Sequence, residues 1–139
     1  MFNRRWAVMP MALVLLGGVI STATVAQAQT VQTPIQSGYT SRGTSGGSRS
    51  SQCGFIASQP NLRLEVTEPL ASLRFRVEGG GEPTLMITNQ QGRSECVMSD
   101  NLSGGTIELP GVWEQGAYSV YVGDRAGNSH SYTLSISQD

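Results

Sequence analysis

One histidine, a nearby carboxylate and many serines are the residues of this chain that could support hydrolysis. His130 is the only histidine, and Asp124 precedes it in the same loop. A serine hydrolase needs an imidazole that takes a proton from the nucleophile and a carboxylate that orients the imidazole. The chain has no Gly-x-Ser-x-Gly turn, which would present such a serine. We therefore predict no catalytic residues and no enzyme, with a small secreted hydrolase or hydrolase accessory module as the alternative.

Oxygen ligands of the kind that calcium takes occur in two loops, in Asp100 and Asn101 and again in Asp124 and Asn128. Calcium loops usually carry several carboxylates at alternating positions, and each of these loops has one. Asp and Asn side chains also organise tight turns by accepting hydrogen bonds from their own backbone. We predict no cofactor, and keep these four residues as candidate ligands for calcium only.

Two aromatic residues could form a surface for sugar binding. Tyr121 points opposite to Tyr118 on its predicted strand and is expected on the outer face, while Trp113 lies at a corner before that strand. An exposed Trp with a neighbouring Tyr can stack on the apolar face of a sugar ring. A corner Trp can equally close the end of a core. Trp113 and Tyr121 are the candidate binding residues.

The chain has two cysteines, Cys53 and Cys96. In an oxidising compartment an even number of cysteines in a small domain indicates a disulfide. A closed loop of about 44 residues would stabilise the fold by about 4 kcal/mol in the chain-entropy treatment. Two thiols and one histidine do not make a structural zinc site. We predict a Cys53–Cys96 disulfide.

The first 28 residues have the three parts of a secretory signal peptide. Arg4 and Arg5 provide a positive start, residues 7–20 form an uncharged apolar run, and Ala26-Gln27-Ala28 is a small-residue cleavage site. The apolar run is shorter than the roughly 20 residues that a membrane-spanning helix needs. We predict export to the periplasm or the medium, with no membrane span in the mature chain.

Cleavage would leave seven arginines, no lysine and ten acidic residues, a net charge of about −3. Nucleic acid requires a basic stripe, so we predict no nucleic-acid partner. Residues 29–52 are rich in Ser, Thr, Gly and Gln and have little to bury, which predicts a disordered linker. The folded domain is then expected over residues 53–139.

Apolar residues alternate with polar ones in several short runs of that domain, which is typical of half-buried strands. We predict a C-terminal antiparallel hairpin from residues 116–123 and 131–137, and a second hairpin from residues 84–88 and 93–98. About seven strands, with no helical periodicity, favour an all-β antiparallel sandwich or jelly-roll-like domain. The predicted core consists of Leu62, Leu64, Val66, Leu73, Phe75, Val77, Leu85, Ile87, Ile107, Leu109, Tyr118, Val120, Val122, Leu134 and Ile136.

The run from Gly116 to Gly123, together with Pro83-Thr84-Leu85-Met86-Ile87 and Tyr132-Thr133-Leu134-Ser135-Ile136, resembles the bacterial pre-peptidase C-terminal domains. The resemblance spans Leu62 to Ser137. It implies a secreted β-sandwich that binds or assists. The acidic Asp-x-Asp start common in that family does not precede Leu62.

We expect an exported, non-catalytic β-sandwich that acts in binding or interaction, with an envelope or extracellular protein or a polysaccharide as its partner. A purely structural envelope component is a further alternative.

Overall fold

The computed structural model describes residues 17–19, 28–99 and 104–138, and all regular elements in those residues are β-strands. The predicted signal peptide lies outside the described residues except for residues 17–19 and 28, and the candidate calcium ligands Asp100 and Asn101 lie outside them as well. The described part of the chain contains no helix that could cross a bilayer. The strands are β1 (Gln29–Gln32), β2 (Tyr39–Thr44), β3 (Arg49–Ser51), β4 (Gly54–Ile56), β5 (Leu62–Val66), β6 (Leu70–Gly79), β7 (Pro83–Thr88), β8 (Ser94–Met98), β9 (Thr106–Trp113), β10 (Gly116–Asp124) and β11 (Ser131–Ser137).

These strands form two sheets. Sheet A has seven strands, with β10 at its centre, β5 and then β1 on one side, and β7 and then β8 on the other. The β3–β4 hairpin joins sheet A at the end of β10, where Asp124 pairs with Phe55. Sheet B has four strands in the order β2, β11, β6, β9. All strand pairs are antiparallel except β1 with β5, which is parallel.

The core lies between the two sheets and confirms the predicted β-sandwich. Leu64, Leu85 and Val120 of sheet A are fully buried, as are Phe75 and Leu134 of sheet B. Alternation along each strand places these apolar side chains on the inner face and the polar side chains on the outer face. The described residues form eleven strands, where the sequence predicted about seven.

The predicted hairpin of β7 and β8 is present, with Leu85 opposite Val97 in an antiparallel ladder. Its turn is held by Asn89, whose side-chain oxygen accepts hydrogen bonds from the backbone N–H groups of Gln91 and Arg93 at 3.0 and 2.9 Å. An Asx side chain at the first turn position therefore fixes this connection, as the turn chemistry predicts.

The predicted hairpin of β10 and β11 is wrong, because the two strands belong to different sheets. β10 pairs with β5 and β7 in sheet A, whereas β11 pairs with β2 and β6 in sheet B. Residues 125–130 connect one sheet to the other. A period of two identifies the buried face of a strand and leaves its hydrogen-bonded neighbour undetermined.

The predicted linker, residues 29–52, is wrong as well, since it contributes β1, β2 and β3. β2 pairs along all six residues with β11. The backbone N–H of Thr67 donates to the hydroxyl of Thr33 at 3.0 Å, and the Thr67 hydroxyl donates to the Thr33 carbonyl at 2.9 Å. Strands that add to an existing sheet edge are held largely by backbone hydrogen bonds, so the few apolar side chains of this segment, Val31, Ile35 and Tyr39, which pack against the core, are enough.

The β3–β4 hairpin crosses the outer face of sheet A and is tied down there. Cys53, at its turn, forms the predicted disulfide with Cys96 of β8. The hydroxyl of Thr84 donates to the Cys53 carbonyl at 2.6 Å. A second small apolar cluster lies beneath the hairpin and includes Ile56 and Met86. The disulfide thus fixes a second layer over part of sheet A.

Candidate functional site

The outer face of sheet A, which points away from sheet B, is the candidate functional surface. Along β10 it presents Ala117, Ser119 and Tyr121, one from every second position. Ala117 lies opposite Glu65 and Ser119 opposite Arg63 on β5. Small side chains on the central strand, beside the longer charged ones on β5, leave the middle of this face recessed.

Two hollows occupy the recessed part. One, of about 320 Å³, is lined by Arg63, Thr88 and Ser119 among others. The other, of about 520 Å³, lies at the end of β10 and is lined by Gln32, Glu65 and neighbouring residues. The second is lined mainly by hydroxyl, amide and charged groups, and the first combines such groups with apolar surface from Leu64, Ala117 and Tyr118. Such groups suit a polar ligand better than an apolar one.

A third and larger hollow, of about 620 Å³, separates the β3–β4 hairpin from the β7–β8 hairpin, and we call it the arginine cleft. Arg49 lies on its β3 side and Arg93 on its β7–β8 side. The hydroxyl of Thr88 in the first hollow lies 2.8 Å from that of Ser94 in the cleft. The cleft and the first hollow therefore adjoin on one continuous face.

The outer face of sheet B differs in how its charges are satisfied. Arg76 forms an ion pair with Glu78 at 2.6 Å and lies 3.7 Å from Glu108 on the neighbouring strand. Neither Arg49 nor Arg93 forms such an ion pair with another described residue. The charges of sheet B are thus partly compensated within the protein, whereas the arginines of the cleft are available to a ligand.

The structure does not support Trp113 as an exposed sugar-binding residue. Only 6% of its surface is exposed, and its ring packs against Phe75 and, edge to face, against Tyr118, each at a centroid distance of 5.1 Å. The indole N–H donates to the Leu73 carbonyl at 3.4 Å. Trp113 therefore closes one end of the core, which was the alternative interpretation of a corner Trp.

Tyr121 does point opposite to the core row, as predicted, yet it is half-buried. It packs against the cluster of Cys53, Ile56 and Met86 beneath the β3–β4 hairpin. The hairpin covers the position that the sequence assigned to the open surface. A sugar platform made of Trp113 and Tyr121 is therefore not formed.

Asp124 is fully buried, and its carboxylate organises the loop between the sheets. One oxygen accepts backbone hydrogen bonds from Ala126 at 2.9 Å and Asn128 at 3.2 Å, and the other accepts one from Glu82 at 3.2 Å. Gly81 packs so closely here that a Cβ atom would lie 2.8 Å from the carboxylate and 2.3 Å from the His130 ring. The Asp124 side chain is therefore a turn-forming group held by three main-chain donors.

This donor arrangement does not fit calcium. Both carboxylate oxygens of Asp124 face N–H groups, and the Asn128 residue is exposed. Within residues 17–19, 28–99 and 104–138, no three His, Cys, Asp or Glu side chains are grouped as a metal site would require. Asp124 and Asn128, the two candidate calcium ligands among the described residues, are thus joined within the turn, where the Asn128 backbone N–H donates to the Asp124 carboxylate.

His130 does lie beside a carboxylate and a serine, though without the contacts of a triad. Its Nε2 atom is 4.0 Å from the Asp124 carboxylate. The hydroxyl of Ser45 contacts His130 by accepting a hydrogen bond from its backbone N–H at 3.2 Å, and Ser45 is buried. A nucleophile must instead face the imidazole and remain open to substrate. His130, Asp124 and Ser45 therefore stabilise the loop.

The arginine cleft was missed by the sequence-based reasoning. Arg49 falls in the segment predicted to be a linker, and Arg93 is the first residue of the second predicted strand of a hairpin. The two cysteines were the signal that could have identified it, because their disulfide brings the hairpin that contains Arg49 onto the strand that follows Arg93.

Comparison with known proteins supports this fold. No protein-family model matches the sequence. The structure is similar to the crystal structure of the pre-peptidase C-terminal domain of collagenase from Bacillus anthracis, with a TM-score of 0.57, 15% identity, and coverage of 84% of this chain and 100% of that domain. The resemblance noted in the sequence is thereby confirmed for the fold.

A second similarity extends over nearly the whole sequence. An uncharacterized protein of Synechococcus elongatus is 35% identical over 136 residues, covering 95% of each chain. Identity at this level over this length indicates common descent. The chain, a β-sandwich with the pre-peptidase C-terminal fold, belongs to the same family as that Synechococcus elongatus protein.

Proposed function

We propose that this protein is an exported, non-catalytic domain that binds a polar partner of the envelope or the extracellular space through the outer face of sheet A. The observation that carries the proposal is the contrast between the two outer faces. Sheet B pairs Arg76 with Glu78 and Glu108. Sheet A opens into three adjoining hollows of about 320, 520 and 620 Å³, each of which has polar side chains in its lining.

Export is supported by the disulfide between Cys53 and Cys96 together with the signal-like first 28 residues. Disulfides persist in oxidising compartments and are rare in the cytosol. The pre-peptidase C-terminal fold, which in the similar structure belongs to a collagenase, is in keeping with an accessory domain.

Rigidity also supports a binding role. The hollows lie on sheet strands and on a hairpin fixed by a disulfide, so the backbone that carries their side chains is already in place before a ligand arrives. A surface held in its bound geometry loses little conformational entropy on binding.

The test uses one residue from the centre of each outer face. Ser119 lies between Arg63 and Thr88 on sheet A, and Ser135 lies between Thr40 and Arg76 on sheet B. Each would be replaced by Tyr, which fits a strand and adds bulk without charge. The exported protein and both variants would be immobilised and exposed to envelope and extracellular fractions.

We expect Ser119→Tyr to lose most of the material that the parent retains and Ser135→Tyr to retain it. Equal retention by the two variants would contradict an assignment to sheet A. Retention of nothing by the parent protein would contradict the binding function itself.

A further inference from the structure

The arginine cleft has the features of a site for acidic sugars. We propose that it binds the carboxylate groups of an acidic, uronate-containing polysaccharide, an inference that rests on the proposed function and names the ligand class for one part of the same face. Arg49 and Arg93, on opposite sides of the cleft, would each receive a carboxylate.

Strand pairing directs Arg49 toward the cleft. In the β3–β4 hairpin Arg49 lies directly opposite Ile56, and directly opposed residues project from the same face of an antiparallel pair. Ile56 is fully buried against sheet A, so the face it shares with Arg49 is the one turned to the sheet. Arg49 therefore projects over the outer face of sheet A from the edge of the hairpin.

The opposite side is formed by β7, β8 and their turn. Ser94 pairs with Thr88, and Met86 pairs with Cys96, on the outer face of these strands. Arg93 immediately precedes Ser94, and its backbone is held by Asn89 at 2.9 Å. The turn that carries Arg93 is thus fixed, and the disulfide at Cys96 fixes its distance from the hairpin.

The charge of the cleft favours anions. None of the residues lining it is acidic. Glu95 lines a separate, smaller hollow of about 170 Å³ that Arg93 also borders. An arginine guanidinium presents parallel N–H donors that match the two oxygens of a carboxylate. Two such groups across one open cleft suit a ligand that repeats its negative charge along a chain.

The remaining lining favours a sugar chain over a peptide. Gln52 and Ser94 offer polar groups to sugar hydroxyls, whereas Ile56 is fully buried and Met86 is only 7% exposed. Peptide recognition along a strand relies on pockets for alternate side chains and on a free edge of some length. The cleft has little exposed apolar surface to form such pockets, since Ile56 and Met86 are both buried.

The experiment measures binding of the exported, disulfide-bonded protein to four probes by calorimetry: an oligogalacturonate, a dextran sulfate and a neutral dextran of similar length, and poly-glutamate. We expect the oligogalacturonate to bind most tightly and its affinity to fall as salt rises from about 50 to about 150 mM, since opposite charges are screened. A preference for dextran sulfate or for poly-glutamate would overturn the assignment to uronates, as would failure of the oligogalacturonate to bind.

Variants then locate the binding site. Arg49→Gln and Arg93→Gln should each weaken oligogalacturonate binding about tenfold, the loss expected for one charge-assisted contact. Arg42→Gln is the matched control, because Arg42 is exposed on β2 of sheet B and its replacement removes the same charge. Equal weakening by all three variants would show nonspecific attraction and overturn the proposal.

Failure of this inference is distinguishable from failure of the proposed function. If Ser119→Tyr abolishes retention of envelope material while Arg49→Gln and Arg93→Gln leave oligogalacturonate binding unchanged, the cleft is not the uronate site and the binding face stands. Thermal unfolding of each variant confirms the fold, which replacement of exposed arginines should preserve.

Discussion

Replacing Asp124 by Ala removes the group that organises the connection between the two sheets. Its carboxylate accepts three backbone hydrogen bonds, from Glu82, Ala126 and Asn128. Those donors come from two separate loops, so the side chain joins them. Because Asp124 is fully buried, its carboxylate depends on these three backbone donors, and not on water, for its hydrogen bonds.

The loss of unfolding free energy can be estimated from these three hydrogen bonds. A hydrogen bond to a charged group contributes about 1.5–3 kcal/mol. The three donor residues are exposed, so their N–H groups can regain water after the loop relaxes, which favours the lower end of the range. We expect Asp124→Ala to reduce the free energy of unfolding by about 3–5 kcal/mol, a large share of the roughly 5–15 kcal/mol of a small domain.

Asp124→Asn tests the two carboxylate oxygens separately, because it replaces one of them by an amide nitrogen. An amide oxygen can still accept from Ala126 and Asn128, while the amide nitrogen would face the N–H of Glu82, donor against donor. The expected loss is about 1–2 kcal/mol.

Urea unfolding with the disulfide intact measures both losses, and Asn128→Ala is the control because it keeps the backbone donor and changes an exposed side chain. The reasoning would be refuted if Asp124→Ala lost no more stability than Asn128→Ala, or if the Asn and Ala variants of Asp124 were equally stable.

Two other predictions concern pH and the faces of β10. Burial raises the pKa of the Tyr132 hydroxyl above 10.0, with a hydrogen bond to Asn61 opposing the shift. The contribution of this hydroxyl to stability is therefore full below about pH 10 and is lost as the pH rises through its folded-state pKa. Tyr132→Phe should flatten the decline of unfolding free energy above about pH 10, and an unchanged slope there would contradict this assignment. Val120→Asp places an unpaired charge in the core, where Val120 is fully buried, and should cost several kcal/mol, whereas Tyr121→Asp should cost less because Tyr121 is half-buried beneath the hairpin. Denaturant unfolding of both variants measures this: equal losses would contradict a difference between the two faces of β10, and a larger loss for Tyr121→Asp would show that the faces were assigned the wrong way round.

The local pattern of the sequence determined the fold class, the inner rows of the strands and the β7–β8 hairpin. Val120 and Leu134 lie in apolar rows of period two, and both are fully buried. A side-chain period depends only on the geometry of the strand itself, so it can be read without knowing the neighbours. The Asn89 turn is likewise local, since its hydrogen bonds reach only four residues along the chain. The disulfide followed from the presence of two cysteines and from the predicted export to an oxidising compartment.

Only the tertiary structure decided which strands are neighbours. β10 and β11 follow one another closely in sequence, and each is an inner strand of a different sheet. The choice between a hairpin and a crossing depends on the sum of contacts with distant strands, such as β5 with β10 and β2 with β11. No local period carries that information.

Only the tertiary structure showed that residues 29–52 contain strands. β2 is stabilised by a ladder of backbone hydrogen bonds to β11, and the backbone offers the same donors and acceptors whatever the side chains are. A polar composition therefore could not distinguish a free linker from edge strands. Once β3 and β4 are folded over sheet A, Tyr121 is covered and the cleft between Arg49 and Arg93 exists. These arginines are separated along the sequence, and the disulfide-linked packing of two hairpins brings them to one site.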